Sequence, residues 1–106
     1  MILRVNQGFT RITGYSTHEA VGQTPAMLAS GRHDSRFFNA MWLSLQADDR
    51  WEGEIWNRHR DGTIFPCRLT IQAVRDEQGE VRNFVGALFD ISRQKSAEAE
   101  LAFLDR

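Results

Sequence analysis

"WEGEIWNRHRDGTIFPCRLTIQAVRDEQGEVRNFVGALFDIS", residues 51–92, decides the fold class. In its first part Trp51, Gly53, Ile55 and Asn57 alternate with Glu52, Glu54, Trp56 and Arg58, the period of a half-buried strand over residues 51–59. Trp51 and Ile55 mark the buried face, because both carboxylates stand opposite. "RDGT" turns the chain. Residues 63–75 place Phe65, Cys67, Leu69, Ile71 and Ala73 on one side and Arg68, Thr70 and Gln72 on the other. "RDEQGE" marks a second hairpin, and residues 81–91 are apolar on both faces, with Phe84 and Leu88 on one and Val81, Val85 and Phe89 on the other. A strand of that kind is expected to be central or covered on both sides. Asn57 falls on the inward side of the first strand. An unpaired buried amide costs roughly 1–3 kcal/mol, so its partner is the first functional question.

Upstream of the meander, "ILRV" reads as a short strand and "NQGFTRITGYS" as turn chemistry followed by short helical turns. Ser16 or Thr17 caps a helix in "STHEAVGQ", with Glu19 in its first turn and Gly22 as its stop. Pro25 suits a first helical position for "PAMLAS", and Gly31 its end. Asp34 or Ser35 then caps the most regular helix, where Phe38, Met41, Trp42 and Leu45 form an apolar stripe. From Asp90 the tail reads as helical, and Ala97, Leu101 and Leu104 carry the spacing of a short heptad seam. The sum is α+β, with helices over one face of an antiparallel sheet.

Composition bounds the function. A chain of 106 residues holds one small core. A net charge of −1 gives no basic field for nucleic acid or an anionic membrane. The single cysteine, Cys67, excludes an internal disulfide or a multi-cysteine zinc site. No apolar run is long enough to span a bilayer, so a cytoplasmic location is the expectation. Both ends read as those of a piece of a longer protein. Glu52 and Glu54 share a face and invite an acid–base reading, but that is the solvent side of the strand. No nucleophile–base set, phosphate loop or metal cluster accompanies them. A regulatory domain is expected, with any catalysis in an absent output domain.

Taken in order, these segments resemble the PAS sensory domains. "VNQGFTRITGYSTHEAVGQ" is similar to the family's second strand and first helices, residues 51–92 to its last three strands, and "DISRQKSAEAEL" to the step that begins a signalling helix. The resemblance implies a PAS domain over residues 1–91 and an exit helix over 92–106. It implies an antiparallel sheet in the family order 2-1-5-4-3, with the family's first strand missing here. The missing strand would leave two neighbours unpaired, so either a destabilised domain or a homodimer with strand sharing is expected.

The same resemblance bears on the pocket. Pro25 stands where the light-sensing flavin subclass carries its reactive cysteine, and Cys67 and Leu88 replace two of that subclass's polar residues. Cysteinyl photochemistry is therefore not expected, and Cys67 reads as a small buried hydrophobe. The redox- and oxygen-responsive flavin subclass is closer: "MW" at 41–42, "WEGE" at 51–54, "NR" at 57–58 and "RDG" at 60–62 match its pattern. That resemblance implies FAD, with Trp42 against the ring system and Asn57 on its pyrimidine edge, and Phe38, Met41, Trp51, Leu69 and Leu88 as further lining. The bland alternative keeps the tryptophans as core and Asn57 bonded to a neighbouring backbone group, with no ligand or an unknown metabolite. His18, His33 and His59 sit among polar neighbours at helix starts or a loop edge, unlike a haem ligand. Asp90, Ile91, Leu101 and Leu104 are the expected output residues. The ending "AELAFLDR" resembles linkers into diguanylate cyclase (GGDEF) domains, which implies cyclic-di-GMP signalling; a histidine kinase is the alternative parent, and a ligand-free dimerisation module the rival function.

Overall fold

A computed structural model describes residues 2–104, the side chains of 103 and 104 excepted. Helices α1 (Gln7–Thr13), α2 (Thr17–Ala20) and α3 (Ser35–Asp48), with a 3-10 turn over Pro25–Leu28 between the last two, precede strands β1 (Arg50–Arg58), β2 (Ile64–Arg75) and β3 (Val81–Asp90) and a final helix α4 (Ser92–Leu104). The strands form one antiparallel sheet in the order β1-β2-β3.

Each helix begins where a side chain can accept an orphan backbone N–H. Asn6 accepts from Phe9 N–H and Asp34 from Phe37 N–H, at 2.8 and 3.1 Å. Ser16 and Glu19 make a reciprocal capping box on α2. Pro25 does open its helical turn, but the turn closes at Ala29 rather than Gly31. Helix α3 ends at Asp49 with φ 58°, unusual for a residue with a Cβ. The position is held from two sides: Asp49 C=O accepts from Ala73 N–H, and its carboxylate takes two guanidinium nitrogens of Arg75 at 2.7–2.9 Å.

The inner face of the sheet carries the core. Met41 and Leu45 of α3 pack with Ile55, Phe65 and Cys67, and Ile12, Phe37, Trp51, Leu69, Ile71 and Leu88 close around them. Pro66 is tolerated in the central strand for a specific reason. Its C=O faces β3 and accepts from Ile91 N–H, so its missing donor faces the point where the chain is already leaving for α4.

Four expectations need correction. "ILRV" is not a strand: residues 2–5 are irregular, and Ile2 exchanges backbone hydrogen bonds with Gly22 and Gln23 instead. A strand needs a paired neighbour, and Ile2 is held beside the end of α2 instead of along the sheet. Strand β3 is neither central nor covered; it is an edge, and Val81, Phe84, Val85 and Phe89 are all exposed. The stripe of α3 is rotated, since Phe37, Met41 and Leu45 face the core while Phe38 and Trp42 lie on the exposed shoulder. Helix α4 starts at Ser92, with Asp90 still in the strand.

Candidate functional site

The parity of β1 is as its sequence demands: Ile55 and Asn57 are buried, and Trp51 and Gly53 half-buried. Trp51 lies back along the strand, so that a Cβ on Gly53 would stand 2.9 Å from Cζ2 of its ring. Asn57 is 5% exposed and sits on a face otherwise made of aliphatic, aromatic and thiol groups. Cys67, opposite Ile55 in the register, is its diagonal cross-strand neighbour on that face. Burial pushes that thiol up to about 11, Asn57 pulls the other way, and Asp90, opposite Cys67 in the register, adds to the rise. Cys67 is thus an inert thiol at neutral pH. Among the described residues no buried side-chain nitrogen or oxygen lacks a partner.

The predicted lining divides into two groups. Met41, Trp51, Leu69 and Leu88 meet around the core, Leu69 and Leu88 as direct cross-strand partners. Trp42 does not join them. It is half exposed, and its ring packs edge-on against Phe84 at 5.5 Å. Phe84 pairs with Ala73 of β2 and Asn57 with Phe65, so the two contacts lie about 25 Å apart along the strand. Phe38 is on the exposed shoulder and meets Phe37 edge-on. An open groove of about 520 Å³ lies elsewhere, lined by Val5, Asn6, Gln7, Thr10, Arg11 and Thr17, and includes none of the predicted residues.

The Asn57 end is closed by the β1–β2 turn. His59, expected among polar neighbours at a loop edge, packs on Gly14, whose φ of 80° and contact with the imidazole leave no room for a side chain. Arg60 N–H donates to Thr13 C=O and its guanidinium reaches Glu19 at 2.7 Å. His33 also departs from its expected polar setting. Its ring stacks on Phe37, with centroids 4.1 Å apart, and its Nε2 accepts the Trp56 N–H. Nothing in the local sequence announces that bond, which spans 23 residues.

The outer face serves α4. Asp90 Oδ1 accepts from the N–H and hydroxyl of Ser92, capping the helix. Ile91 is buried, and Lys95 Nζ meets Glu54 at 2.7 Å. Glu54 holds the Lys95 ammonium above the usual lysine range. Glu52 is bound by Arg50 and Arg68, which hold it below the usual carboxylate range. Two carboxylates so committed are structural. Leu101 and Ala97 are exposed, and the Leu104 side chain lies outside the described residues.

A family model for the PAS domain matches residues 1–93. The chain belongs to the PAS domain family. It is 32% identical over 100 residues to a nitrogen fixation regulatory protein of Klebsiella oxytoca, covering 94% of this chain and 20% of that protein. A blue-light-activated histidine kinase of Brucella anthropi is 29% identical over 94% of this chain and 20% of its own length. Among solved structures, one described under "Flavin Analogue Sheds Light on Light-Oxygen-Voltage Domain Mechanism" superposes with a TM-score of 0.79 at 28% identity, over 98% of this chain and 76% of that one. The PAS domain thus spans about a fifth of the length of each of these two curated relatives. It is a sensory input module of the kind found in signalling proteins.

The inner face can be tested for a flavin by its donor set. An isoalloxazine edge presents an N–H flanked by carbonyls, and one carboxamide can answer both. Asn57 is such a group, buried at the rim of an apolar face, and it fits. Cys67 and Leu88 supply no second polar contact. Pro25 opens the 3-10 turn where the light-sensing subclass, by the resemblance, has its cysteine, and Cys67 is on β2 instead. Among the described residues no group of three metal-ligating side chains assembles, and no helix is long and apolar enough to cross a membrane.

Proposed function

We propose that this PAS domain is a cytoplasmic redox-sensing input module that holds a flavin, FAD, on the inner face of its sheet without a covalent bond, and transmits its state through α4. One observation carries the reading: the strand that contributes Leu88 to the inner face continues without a break into the Asp90–Ser92 cap and α4. Anything that repacks the inner face therefore acts on the start of the exit helix, and shifts it by as much as it distinguishes the two packings. Asn57 would hold the pyrimidine edge, with Met41, Leu69 and Leu88 as apolar walls. The bound flavin would supply the electron-accepting group. Homology to a blue-light-activated kinase, and the likeness to a light-oxygen-voltage domain described with a flavin analogue, support a flavin. A diguanylate cyclase is the proposed output, and a histidine kinase the alternative. A homodimer sharing strands at the exposed β3 edge completes the proposal, and sedimentation as a monomer at all concentrations would remove it.

The visible absorption spectrum of the purified protein is the test. Flavin bands that are released on denaturation, and lost in Asn57→Ala, are the expected result. A colourless protein overturns the flavin, and unchanged flavin in Asn57→Ala overturns the role of Asn57. One observation favours a second reading, a ligand-free relay module: among the described residues no buried side-chain nitrogen or oxygen lacks a partner.

A further inference from the structure

The outer edge of β1 is covered by a segment that is neither helix nor strand. Trp56 stands opposite Pro66, which has no N–H and turns its carbonyl to Ile91, so the Trp56 amide points away from β2. Residues 29–34 meet that edge in three ways. Ala29 forms an isolated antiparallel bridge with Asn57. The Trp56 N–H donates to His33 Nε2 at 2.9 Å. The Arg32 guanidinium lies 4.0 Å from the centroid of the Trp56 ring. Stacking on Phe37 and an edge contact with Phe38 fix the plane of the imidazole from the α3 side.

An imidazole nitrogen accepts a hydrogen bond only while it is unprotonated; the imidazolium has two donors and no acceptor. Protonation would set an N–H against the Trp56 N–H and leave that amide unpaired. We propose that His33 is a positioning residue whose neutral ring clasps residues 29–34 to β1 beside Asn57, and that uptake of a proton opens the clasp and loosens the Asn57 end of the inner face. The inner face is thereby proton-gated. The elements that meet the ring carry Arg32 and Asp34 beside it, Arg36 on α3, and Glu54 and Arg58 on β1. Arg32 lies over Trp56, and the Asp34 carboxylate is engaged with Phe37 N–H. On β1, Glu54 and Arg58 share the parity of Trp56, and Glu54 is paired with Lys95. Histidine is the side chain suited to such a gate, because it ordinarily changes charge between about pH 5 and 8.

The clasp is measurable without any ligand, and only its effect on binding rests on the reading of Asn57 given above. The test follows the Trp56 amide and the three imidazoles by NMR from pH 8 to pH 5, in the wild type, His33→Gln and His33→Ala. The wild-type Trp56 amide is expected to leave its hydrogen-bonded position in step with the His33 ring. In His33→Gln the carboxamide oxygen accepts the bond at every pH, so the amide stays put. In His33→Ala the Trp56 amide exchanges roughly tenfold faster than in His33→Gln at the same pH, the loss expected for one hydrogen bond. A Trp56 amide that ignores the titration of His33, or a His33 that takes up no proton in this range, overturns the proposal. So does equal exchange in the Gln and Ala variants. Should His33→Ala fail to fold, the wild type and His33→Gln still decide. A clasp that titrates as described in a protein that binds no flavin overturns the flavin reading alone.

Discussion

The sheet has a packed side and an open side of nearly equal apolarity. On β1 and β2, Ile55, Phe65, Cys67 and Ala73 are buried under α3 and its surroundings. On β3, Val85 and Phe89 are 59% and 60% exposed, and only Leu88 is drawn into the core. Residue type does not separate the two sides; neighbours do. Burial follows from what stands across the face and along the edge, and β3 has β2 on one edge alone. The function proposed here uses both conditions: a fixed wall holding Asn57, and a yielding strand leading to α4.

Breaking the packed side has the largest expected effect. Gly14→Ala puts a Cβ into the His59 ring at a φ of 80°, and should cost about 3–4 kcal/mol in urea unfolding. Leu45→Ala empties a well-filled site and should cost about 3 kcal/mol. Gly53→Ala meets only the far side of the Trp51 ring, which can tilt, so about 1 kcal/mol and a changed tryptophan emission are expected. Phe89→Ala, on the open side, should stay within about 0.5 kcal/mol. Equal losses for Leu45→Ala and Phe89→Ala would erase the contrast and mean that β3 is covered in solution.

Acid sharpens the comparison from the surface. Ser16 backbone N–H bonding holds Glu19 below its ordinary value, Arg75 does so for Asp49, Arg50 and Arg68 for Glu52, and the Thr63 and Glu80 backbone amides for Asp61 and Asp76. A depressed folded value means the unfolded chain binds protons first. The stabilisation is full above the ordinary carboxylate range near pH 4, and is lost as the pH falls through the lower folded values. Denaturation midpoints of His33→Gln, which lacks the clasp's own titration, should therefore stay level down to about pH 5 and drop below pH 4. Four of the five sites tie the ends of β1 or β2, so amides there should lose protection before those at the middle of β2.

Much of this was legible in the chain. The alternation at 51–58, the two turns and the caps at Ser16 and Asp34 are local physics, and period, turn residue and capping hydroxyl or carboxylate act within a few positions. So the three strands, their inward faces and the burial of Asn57 follow from sequence. The site was legible in part. Its polar residue declared itself by parity, but Trp42 could not be placed, because a stripe fixes a helix face to within a residue and the sheet chose Phe37, Met41 and Leu45. The bond from Trp56 to His33 was invisible, since it needs the proline opposite and a loop 23 residues away. Sequence alone determined which segments alternate, turn and begin helices. Tertiary structure alone decided that "ILRV" stays irregular, that β3 is an edge and that His33 closes the other one, because pairing and burial are properties of two segments and the chain writes down only one at a time.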